Sequence, residues 1–565
     1  MIEFSDVSVK YDGAPDWSIQ SAQFVIPEGE LALVVGSTGS GKSTLLSCIN
    51  GLVPHFTGGT LAGQVIVAGR DTADHPPRAL ADVVGMVRQD PLAGFVTDVV
   101  EDELAYTMES LGIAPAVMRR RVEETLDLLG LAPLRTRTLR TLSGGERQRV
   151  AIGSVLTAQP KVLVLDEPTS ALDPQAAEDV LAAIQRLVHD LGLTVLLSEH
   201  RLERVVQYAD QILIVQDHRV TQFLDPAAAM LESPVTPPVV DLGARLRLNP
   251  LPLSVRDARR AARPQRELLL AEQNGQAEPP AARRGTTPIA QIDKGHLRYG
   301  NQIVLRQLST SIQAGTITGL MGRNGAGKSS LLRLLVGAES ATSGRVQVGG
   351  VDPKSLRGAS LLAKVAYVPQ EPDDLLWAET IEQECLAADA DANKAVGTTQ
   401  QLLSQLLPGL DPTTHPRDLS IGSRLMLVLA IMLAGDAELL LLDEPTRGLD
   451  YAAKDRLSAV IRSHAAQGAA VVVATHDVEF VAGLCDRLMI LADGDLVTDD
   501  SAQSALLDSA MFAPQVAKVM APLPYLTVTD LPLQFPPLAE TESAANLNPA
   551  DFLPAETNRS GGLDE

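Results

Sequence analysis

The chain has 565 residues and a formal net charge of −23, with 45% apolar and only 3% aromatic residues. This length allows roughly two to four domains, each able to bury a sizeable core. The net negative charge argues against a protein that encloses nucleic acid, because the backbone phosphates require clustered Lys and Arg.

The first residues, MIEFSDVSVKYDG, alternate like a strand and lack the basic-then-apolar order of a secretion signal. No apolar run reaches the roughly 18 to 20 residues of a membrane-spanning helix. Cys48, Cys385 and Cys485 are too few and too far apart for a disulfide framework or a zinc site. We therefore expect a cytoplasmic protein with reduced, structural thiols.

A glycine-rich loop occurs twice, each time between a strand-like apolar run and a helical run. GSTGSGKS covers residues 36–43, and GRNGAGKS covers residues 322–329. This order is the context of a phosphate-binding loop, in which backbone N–H groups and a helix N-terminus face phosphate oxygens. The predicted ATP-binding residues of the two loops are Gly36, Ser37, Thr38, Gly39, Ser40, Gly41, Lys42, Ser43, Thr44, Gly322, Arg323, Asn324, Gly325, Ala326, Gly327, Lys328, Ser329 and Ser330.

The chemistry of these loops assigns separate roles to their last residues. Lys42 and Lys328 are predicted to reach the β- and γ-phosphates of ATP. The hydroxyls of Ser43 and Ser329 are predicted to bind Mg²⁺.

Each half also contains an apolar run that ends in paired acids, VLVLDEP in the first and LLLLDEP in the second. A buried parallel strand would bring these acids to the carboxyl edge of its sheet, where such sheets bind ligands. Asp166 and Asp443 are expected to hold Mg²⁺ or its waters. Glu167 and Glu444 are expected to polarise the attacking water.

Matching landmarks recur in one order at a nearly constant separation, which indicates a duplicated domain. The pairs are Lys42 and Lys328 (286 residues apart), Gln89 and Gln370 (281), Ser143 and Ser420 (277), Asp166 and Asp443 (277), and His200 and His476 (276). We predict a first nucleotide-binding domain over residues 1–232 and a second over residues 288–500.

The remaining segments are a Pro/Ala/Arg-rich linker, residues 233–287, and an acidic, Pro-rich extension, residues 501–565. The linker contains RDARRAARPQR at residues 256–266, which we interpret as a solvated tether, with contact to anionic lipid or to a partner as the alternative. Residues 541–565 have the composition of a disordered tail.

Together these motifs resemble an ATP-binding cassette (ABC) protein with two fused nucleotide-binding domains. LSGGERQR at residues 142–149 resembles the family signature, whereas the second half carries LSIGSRLM at residues 419–426. SALDP and RGLDY resemble the family's D-loops. The resemblance implies an α/β fold of two tandem P-loop NTPase domains, each a mostly parallel core sheet with an antiparallel β subdomain and a helical signature subdomain.

The resemblance also implies roles for single residues. Gln89 and Gln370 would be Q-loop residues, His200 and His476 would be switch histidines at the γ-phosphate, and Tyr11 and Tyr299 would stack on adenine. The implied catalytic set is Glu444, His476, Glu167, His200, Gln370 and Gln89. The implied metal set is Ser43, Gln89, Asp166, Ser329, Gln370 and Asp443.

In this family the domains pack head to tail, so each ATP lies between the phosphate-binding loop of one domain, called the Walker loop, and the signature of the other. The second Walker loop would face Ser143, Gly144 and Gly145. The first would face Ser420, Ile421 and Gly422, where Ile421 replaces a glycine at a place of close backbone approach. We expect both sites to bind ATP and the second Walker site to do most of the hydrolysis; the alternative is that both sites hydrolyse.

The segments after the two glutamines, residues 89–106 and 370–386, are predicted to present a surface of apolar and acidic residues. The acids are Glu101, Asp102, Glu103, Glu379, Glu382 and Glu384. These segments resemble those of energy-coupling-factor transporter ATPases, although a merely solvated acidic face is the alternative.

That resemblance implies the ATPase subunit of an importer at the cytoplasmic face of the cell membrane. Its partners would be a membrane-embedded coupling subunit with Arg-bearing helices and a substrate-binding membrane subunit, with no nucleic acid. The cargo would be a vitamin, a vitamin precursor or a transition-metal ion. The alternatives are the fused ATPase of a sugar importer and a soluble tandem ATPase acting on ribosomes or nucleic acid.

Overall fold

The computed structural model describes residues 1–14, 16–170, 172–273 and 288–532, which form two similar lobes and a helical layer between them. The strands of the first lobe are β1 (Ile2–Lys10), β2 (Ile19–Ile26), β3 (Leu31–Val35), β4 (Thr60–Val67), β5 (Arg70–Asp71), β6 (Val84–Val87), β7 (Val162–Asp166), β8 (Thr194–Ser198), β9 (Gln211–Gln216) and β10 (Arg219–Phe223). Its helices are α1 (Lys42–Ile49), α2 (Leu52–His55), α3 (Pro77–Leu80), α4 (Val100–Ser110), α5 (Pro115–Leu128), α6 (Gly144–Leu156), α7 (Pro174–Leu191) and α8 (Leu202–Val205).

Four helices follow the first lobe: α9 (Pro226–Glu232), α10 (Pro238–Arg245), α11 (Val255–Ala261) and α12 (Arg263–Gln273). The strands of the second lobe are β11 (Pro288–Tyr299), β12 (Gln302–Gln313), β13 (Ile317–Met321), β14 (Ser343–Val348), β15 (Val365–Val368), β16 (Leu439–Asp443), β17 (Ala470–Ala474), β18 (Arg487–Ala492) and β19 (Asp495–Ser501). The later helices are α13 (Lys328–Val336), α14 (Ala359–Leu362), α15 (Ile381–Asp391), α16 (Thr398–Leu406), α17 (Ile421–Leu433), α18 (Tyr451–Ala466), α19 (Val478–Leu484), α20 (Ala502–Leu507) and α21 (Gln515–Met520).

The core sheets of the two lobes have the same strand order. It is β6-β7-β8-β3-β9-β10 in the first lobe and β15-β16-β17-β13-β18-β19 in the second. The strands pair in parallel except the last of each sheet, which is antiparallel. Separate antiparallel sheets, β2-β1-β4-β5 and β12-β11-β14, flank them. The predicted α/β architecture of two tandem domains is confirmed.

The apolar runs of the sequence become the central strands because both faces of each sheet are covered. All five residues of β3 are buried, and so are all five of β13. Such strands lack polar alternation, as expected for parallel strands between helices. Among the described residues, none of the helices combines the length and apolarity needed to cross a bilayer.

Helices from the linker and from the C-terminal extension form the layer between the lobes. We call α10, α11, α12 and residues 502–532 the junction layer. Gln515 of this layer contacts three parts of the chain. The side chain of Gln515 accepts from Val239 N at 3.0 Å and donates to Glu203 O at 3.2 Å. The backbone N–H of Gln515 donates to Glu479 Oε1 at 2.7 Å. The junction layer therefore holds on to both lobes.

The Arg-rich part of the linker belongs to this layer, which corrects the expectation of a solvated tether. Arg266 donates to Val519 O at 2.7 Å, and Arg259 donates to the carbonyl of Lys518. Ala258 and Ala262 are fully buried beside these arginines. The predicted disordered tail, residues 541–565, lies outside the described residues.

Replacing Glu479 by Gln tests the polar contact between the second lobe and the junction layer. Burial raises the pKa of Glu479 to about 8, and the carboxylates of Glu203 and Asp477 add to the shift. Since the unfolded carboxyl titrates near pH 4.3, the native state keeps a proton that the unfolded state loses, and stability falls as the pH rises from about 4.3 to about 8. We expect Glu479→Gln to raise the Tm by about 2–4 °C at pH 9 and to leave it unchanged at pH 5. Equal effects at both pH values would contradict this.

Candidate functional site

Both glycine-rich loops have the backbone that close approach to phosphate requires. Gly41 and Gly327 precede α1 and α13 with φ of 109° and 103°. A Cβ on Gly41 would lie 2.6 Å from Ser18 O, and one on Gly327 would lie 2.9 Å from Val304 O. Only glycine fits these positions without strain, so the helix N-termini stay open towards an anion.

The lysines and tyrosines predicted to bind ATP lie at these loops. Lys42 Nζ donates to Gly36 O and Ser37 O, both at 2.8 Å, and Lys328 Nζ donates to Gly322 O at 2.8 Å. Each tyrosine reaches the residue after the Walker serine: Tyr11 OH lies 3.2 Å from Thr44 Oγ1, and Tyr299 OH lies 3.4 Å from Ser330 Oγ. Both tyrosines thus stand at the side of a loop, and their stacking on adenine stays a prediction.

The paired acids end β7 and β16, and their backbone separates the two side chains of each pair. Glu167 and Glu444 have left-handed φ values of 50° and 53°, which cost energy for a residue with a Cβ. Their N–H groups donate to Ser198 O at 3.0 Å and Ala474 O at 2.8 Å. The sheet thus holds both glutamates in a strained turn, a feature that the sequence pattern did not reveal.

In the second lobe, Glu444 and His476 form a buried polar cluster with the Walker loop. His476 Nε2 lies 3.1 Å from Glu444 Oε1, 3.1 Å from Lys328 Nζ and 2.9 Å from Asn324 Oδ1. Burial raises the pKa of Glu444 to about 7. Burial and the neighbouring Lys328 lower the pKa of His476 to about 3, so the imidazole is neutral.

In the first lobe, the equivalent glutamate is held by two side chains. Gln89 Nε2 donates to Glu167 Oε2 at 2.8 Å, and His200 Nε2 lies 2.8 Å from Glu167 Oε1. Both carboxylate oxygens of Glu167 are therefore engaged. Gln370, the counterpart of Gln89, lines the cavity described below, as Gln89 does.

The donor set beside Asp443 fits Mg²⁺. Among the described residues, Asp443 Oδ1 is buried without a hydrogen-bond partner, and burial raises the pKa of this carboxyl despite the nearby Ser329 hydroxyl. A buried carboxylate with free acceptor capacity favours a cation. Within the described residues no cluster of three or more His, Cys, Asp or Glu side chains has metal-site geometry. An ion held by one carboxylate, one hydroxyl and substrate phosphates needs no such cluster.

A cavity of about 870 Å³ lies between the lobes and brings together residues that the sequence assigned to one composite site. Those of its lining residues that were predicted to act on ATP are Tyr299, Asn324, Gly325, Gly327, Lys328, Ser329, Ser330, Gln370, Asp443, Glu444 and His476 from the second lobe, with Gln89, Ser143, Gly144 and Glu167 from the first. The predicted head-to-tail pairing of the second Walker loop with the first signature is therefore present in the fold.

The two signature serines begin equivalent helices but have different partners. Ser143 caps α6 in a reciprocal box, in which Glu146 N donates to Ser143 Oγ at 3.3 Å and Ser143 N donates to Glu146 Oε2 at 2.7 Å. Ser420 caps α17, with its Oγ 2.9 Å from Ser423 Oγ. Gly145 and Gly422 follow these serines on the two helices, and α17 begins at Ile421, whose side chain lies outside the described atoms.

The D-loop aspartates join the lobes, and they were not among the predicted site residues. Asp450 Oδ2 accepts from Thr38 N at 2.8 Å, and Asp173 Oδ2 accepts from Asn324 N at 3.5 Å. Each aspartate also caps the helix that follows it. The sequence could have indicated them, because an aspartate recurs at the same place in SALDP and RGLDY, and a residue shared by both halves at one offset has a common role.

Comparison with known proteins agrees with the geometry. The family model for ABC transporters matches residues 19–170 and 305–447. A "Putative ABC transporter ATP-binding protein" of Streptomyces avermitilis is 56% identical over 559 residues, which cover 94% of this chain and 99% of that protein. One from Bacillus thuringiensis subsp. konkukian is 31% identical over 541 residues, covering 93% and 96%. The solved structure of an RNase-L Inhibitor covers 88% of this chain and 91% of its own, with a TM-score of 0.57 at 21% identity, and shows the fold alone.

Proposed function

The chain belongs to the ABC transporter family as an ATPase with two fused nucleotide-binding domains, and from this premise we propose that it energises an importer of the energy-coupling-factor type. It would lie on the cytoplasmic face of the membrane and bind a coupling subunit there. A vitamin, a vitamin precursor or a transition-metal ion would be the cargo, carried by a separate substrate-binding membrane subunit.

The exposed apolar residues after the two Q-loop glutamines support this proposal most directly. Leu92, Val96 and Tyr106 are exposed in the first lobe, and Trp377 and Leu386 in the second. We call these five residues the Q-loop surface. Trp377 is 86% exposed, which is costly for an indole in water unless a partner covers it.

The acids around the Q-loop surface divide into two groups, and this corrects the prediction that all of them face outward. Glu103 is buried and its carboxylate accepts from Val96 N at 3.0 Å and Thr97 N at 2.8 Å. Glu384 is buried and accepts from the N–H groups of Trp377 and Ala378. These two acids shape the loops that carry the exposed apolar residues.

The other acids remain at the surface, where they give the Q-loop surface its charge. Asp102, Glu379 and Glu382 are exposed and Glu101 is half-buried. A cleft of about 410 Å³ opens beside Trp377, and its wall includes Asp374 and Glu379 together with Arg417 and Arg424. An apolar surface with an acidic border is complementary to a short amphipathic helix that carries arginine.

We assign the proposed chemistry to residues of the cavity between the lobes. Ser329, Asp443 and Gln370 would hold Mg²⁺, which neutralises charge on the phosphates. Glu444, with a pKa of about 7, would accept a proton from the attacking water, and neutral His476 would donate to the γ-phosphate. Ser143 and the N–H groups of Gly144 and Gly145 would complete the site from the other lobe.

Purification of the tagged chain from its native membrane tests the proposal. We expect it to recover two integral membrane proteins, one with Arg-bearing cytoplasmic helices. Trp377→Glu should lower that recovery at least about tenfold, because it places a charge in the apolar centre of the contact. ATP binding should be unchanged.

Val497→Glu is the matched control, since Val497 is also exposed, at 58%, but lies on β19. Equal loss with both variants would contradict the docking role of the Q-loop surface. Recovery with permeases and a soluble binding protein would favour the sugar-importer alternative. Co-sedimentation with ribosomes would favour the non-transport alternative.

A further inference from the structure

The residues that follow the two switch histidines meet across the interface between the lobes. Arg201 follows His200, Asp477 follows His476, and Arg201 Nη2 lies 3.5 Å from Asp477 Oδ2. The two side chains are 8% and 2% exposed. Burial alone would lower the pKa of Arg201, but Asp477, Glu203 and Glu444 outweigh that effect and raise it. The guanidinium is therefore charged.

Asp477 does not belong to Arg201 alone. Lys454 Nζ lies 2.6 Å from the same Asp477 oxygen, so one carboxylate serves two cations. Glu203, two residues after Arg201 in the chain, accepts from Tyr451 OH at 2.6 Å. Arg201 thus lies among several carboxylates, and it shares the one it contacts, Asp477, with Lys454.

Arg201 also forms part of the cavity wall at the second-lobe site. Arg201 lines the same cavity as Lys328, Glu444 and His476. Asp477, which Arg201 contacts, caps α19 by accepting from Phe480 N at 3.1 Å. Arg201 therefore touches the turn that carries His476 from the opposite lobe.

The duplicated sequence does not repeat this arrangement. At the offsets of 276 and 277 residues that relate the halves, Asp477 replaces Arg201 and Lys454 replaces Ala177. The first lobe thus extends a cation towards the second-lobe site, and the second lobe has a carboxylate at the equivalent position. Added positive charge favours phosphoryl transfer and added negative charge opposes it.

We propose that Arg201 is a positioning residue of the second-lobe ATP site, supplied from the first lobe. It fixes the turn of His476 through Asp477 and brings positive charge to the cavity wall when the lobes are together. The inference rests on the proposed assignment of hydrolysis to the second Walker loop. Arg201 would make the two ATP sites unequal for a reason that is independent of Ile421.

The test compares variants of the full chain made in the Glu167→Gln parent, in which turnover reports the second Walker site. Arg201→Gln should lower kcat at saturating MgATP by about 10- to 100-fold, with KM for ATP within about threefold, since Lys328 and the loop still bind the phosphates. Asp477 keeps Lys454 as its partner, so no buried carboxylate is orphaned. Arg201→Lys should restore kcat to within about fivefold of the parent, because one N···O contact needs charge rather than a planar fork.

Tyr451→Phe is the control for the interface, because it removes the contact with Glu203 and leaves every charge in place. Equal losses of kcat in Tyr451→Phe and Arg201→Gln would overturn the proposal. A rise in KM without a fall in kcat would also overturn it. If Arg201→Gln does not fold, Arg201→Lys becomes the test. A complete loss of turnover in Arg201→Lys, at the Tm of the parent, would contradict the role of the charge. The Glu167→Gln parent itself, compared with wild type, tests the asymmetry separately.

Discussion

Replacing Glu444 by Gln is expected to abolish steady-state ATP hydrolysis, lowering kcat by about 10²- to 10⁴-fold, whereas Glu167→Gln should cost little. The two glutamates end equivalent strands and share the same left-handed backbone, so the substitutions are matched. Both line the cavity between the lobes, but their partners differ: Glu167 is paired with both Gln89 and His200, whereas Glu444 lies beside His476 and burial raises its pKa to about 7.

Turnover of the two purified variants at saturating MgATP measures this difference. Binding is checked separately by the rise in Tm with MgATP, which both variants should retain because a ligand that binds only the native state stabilises it. Equal losses in the two variants would reject the asymmetry. Retained turnover in Glu444→Gln would show that another group accepts the proton.

Local sequence was sufficient to predict the phosphate loops and the core sheets. These features depend on short stretches of consecutive residues. Examples are a glycine that must adopt positive φ, such as Gly41, and a strand buried on both faces, such as β3. The composite site followed from the resemblance to a family, since the site joins the Walker loop of one half to the signature of the other.

Contacts between distant parts of the chain were not predictable in the same way. Glu103 and Glu384 read as surface acids in a linear pattern, and only the fold shows that they accept N–H groups of the preceding loops. The arginine-rich linker read as a tether because the carbonyls it binds, at Lys518 and Val519, are about 250 residues away. Arg201 was overlooked because its partner lies in the other lobe.

Removal of the Asp477 side chain is expected to be among the most destabilising single changes at the interface. Asp477→Ala leaves Arg201 and Lys454 buried without their shared carboxylate and removes the cap of α19. Breaking a buried pair costs about 3–5 kcal/mol in the free energy of unfolding. Asp477→Asn should cost less, because its amide oxygen can still cap the helix.

The size and the pH dependence of this effect follow from the same charges. Burial alone would raise the pKa of Asp477, but Lys454 and Arg201 outweigh it and hold the pKa well below its ordinary value. Asp477 therefore contributes its stabilisation above the unfolded pKa of about 3.9 and loses it as the pH falls below that value. Denaturant unfolding should show a constant deficit for Asp477→Ala between pH 6 and 8, and a smaller one in acid. Asp495→Ala is the control. Its partner Arg306 is 3.9 Å away at the surface, where an ion pair contributes about 0–1 kcal/mol. An equal deficit in both variants would mean that the interface charges contribute no more than a surface pair.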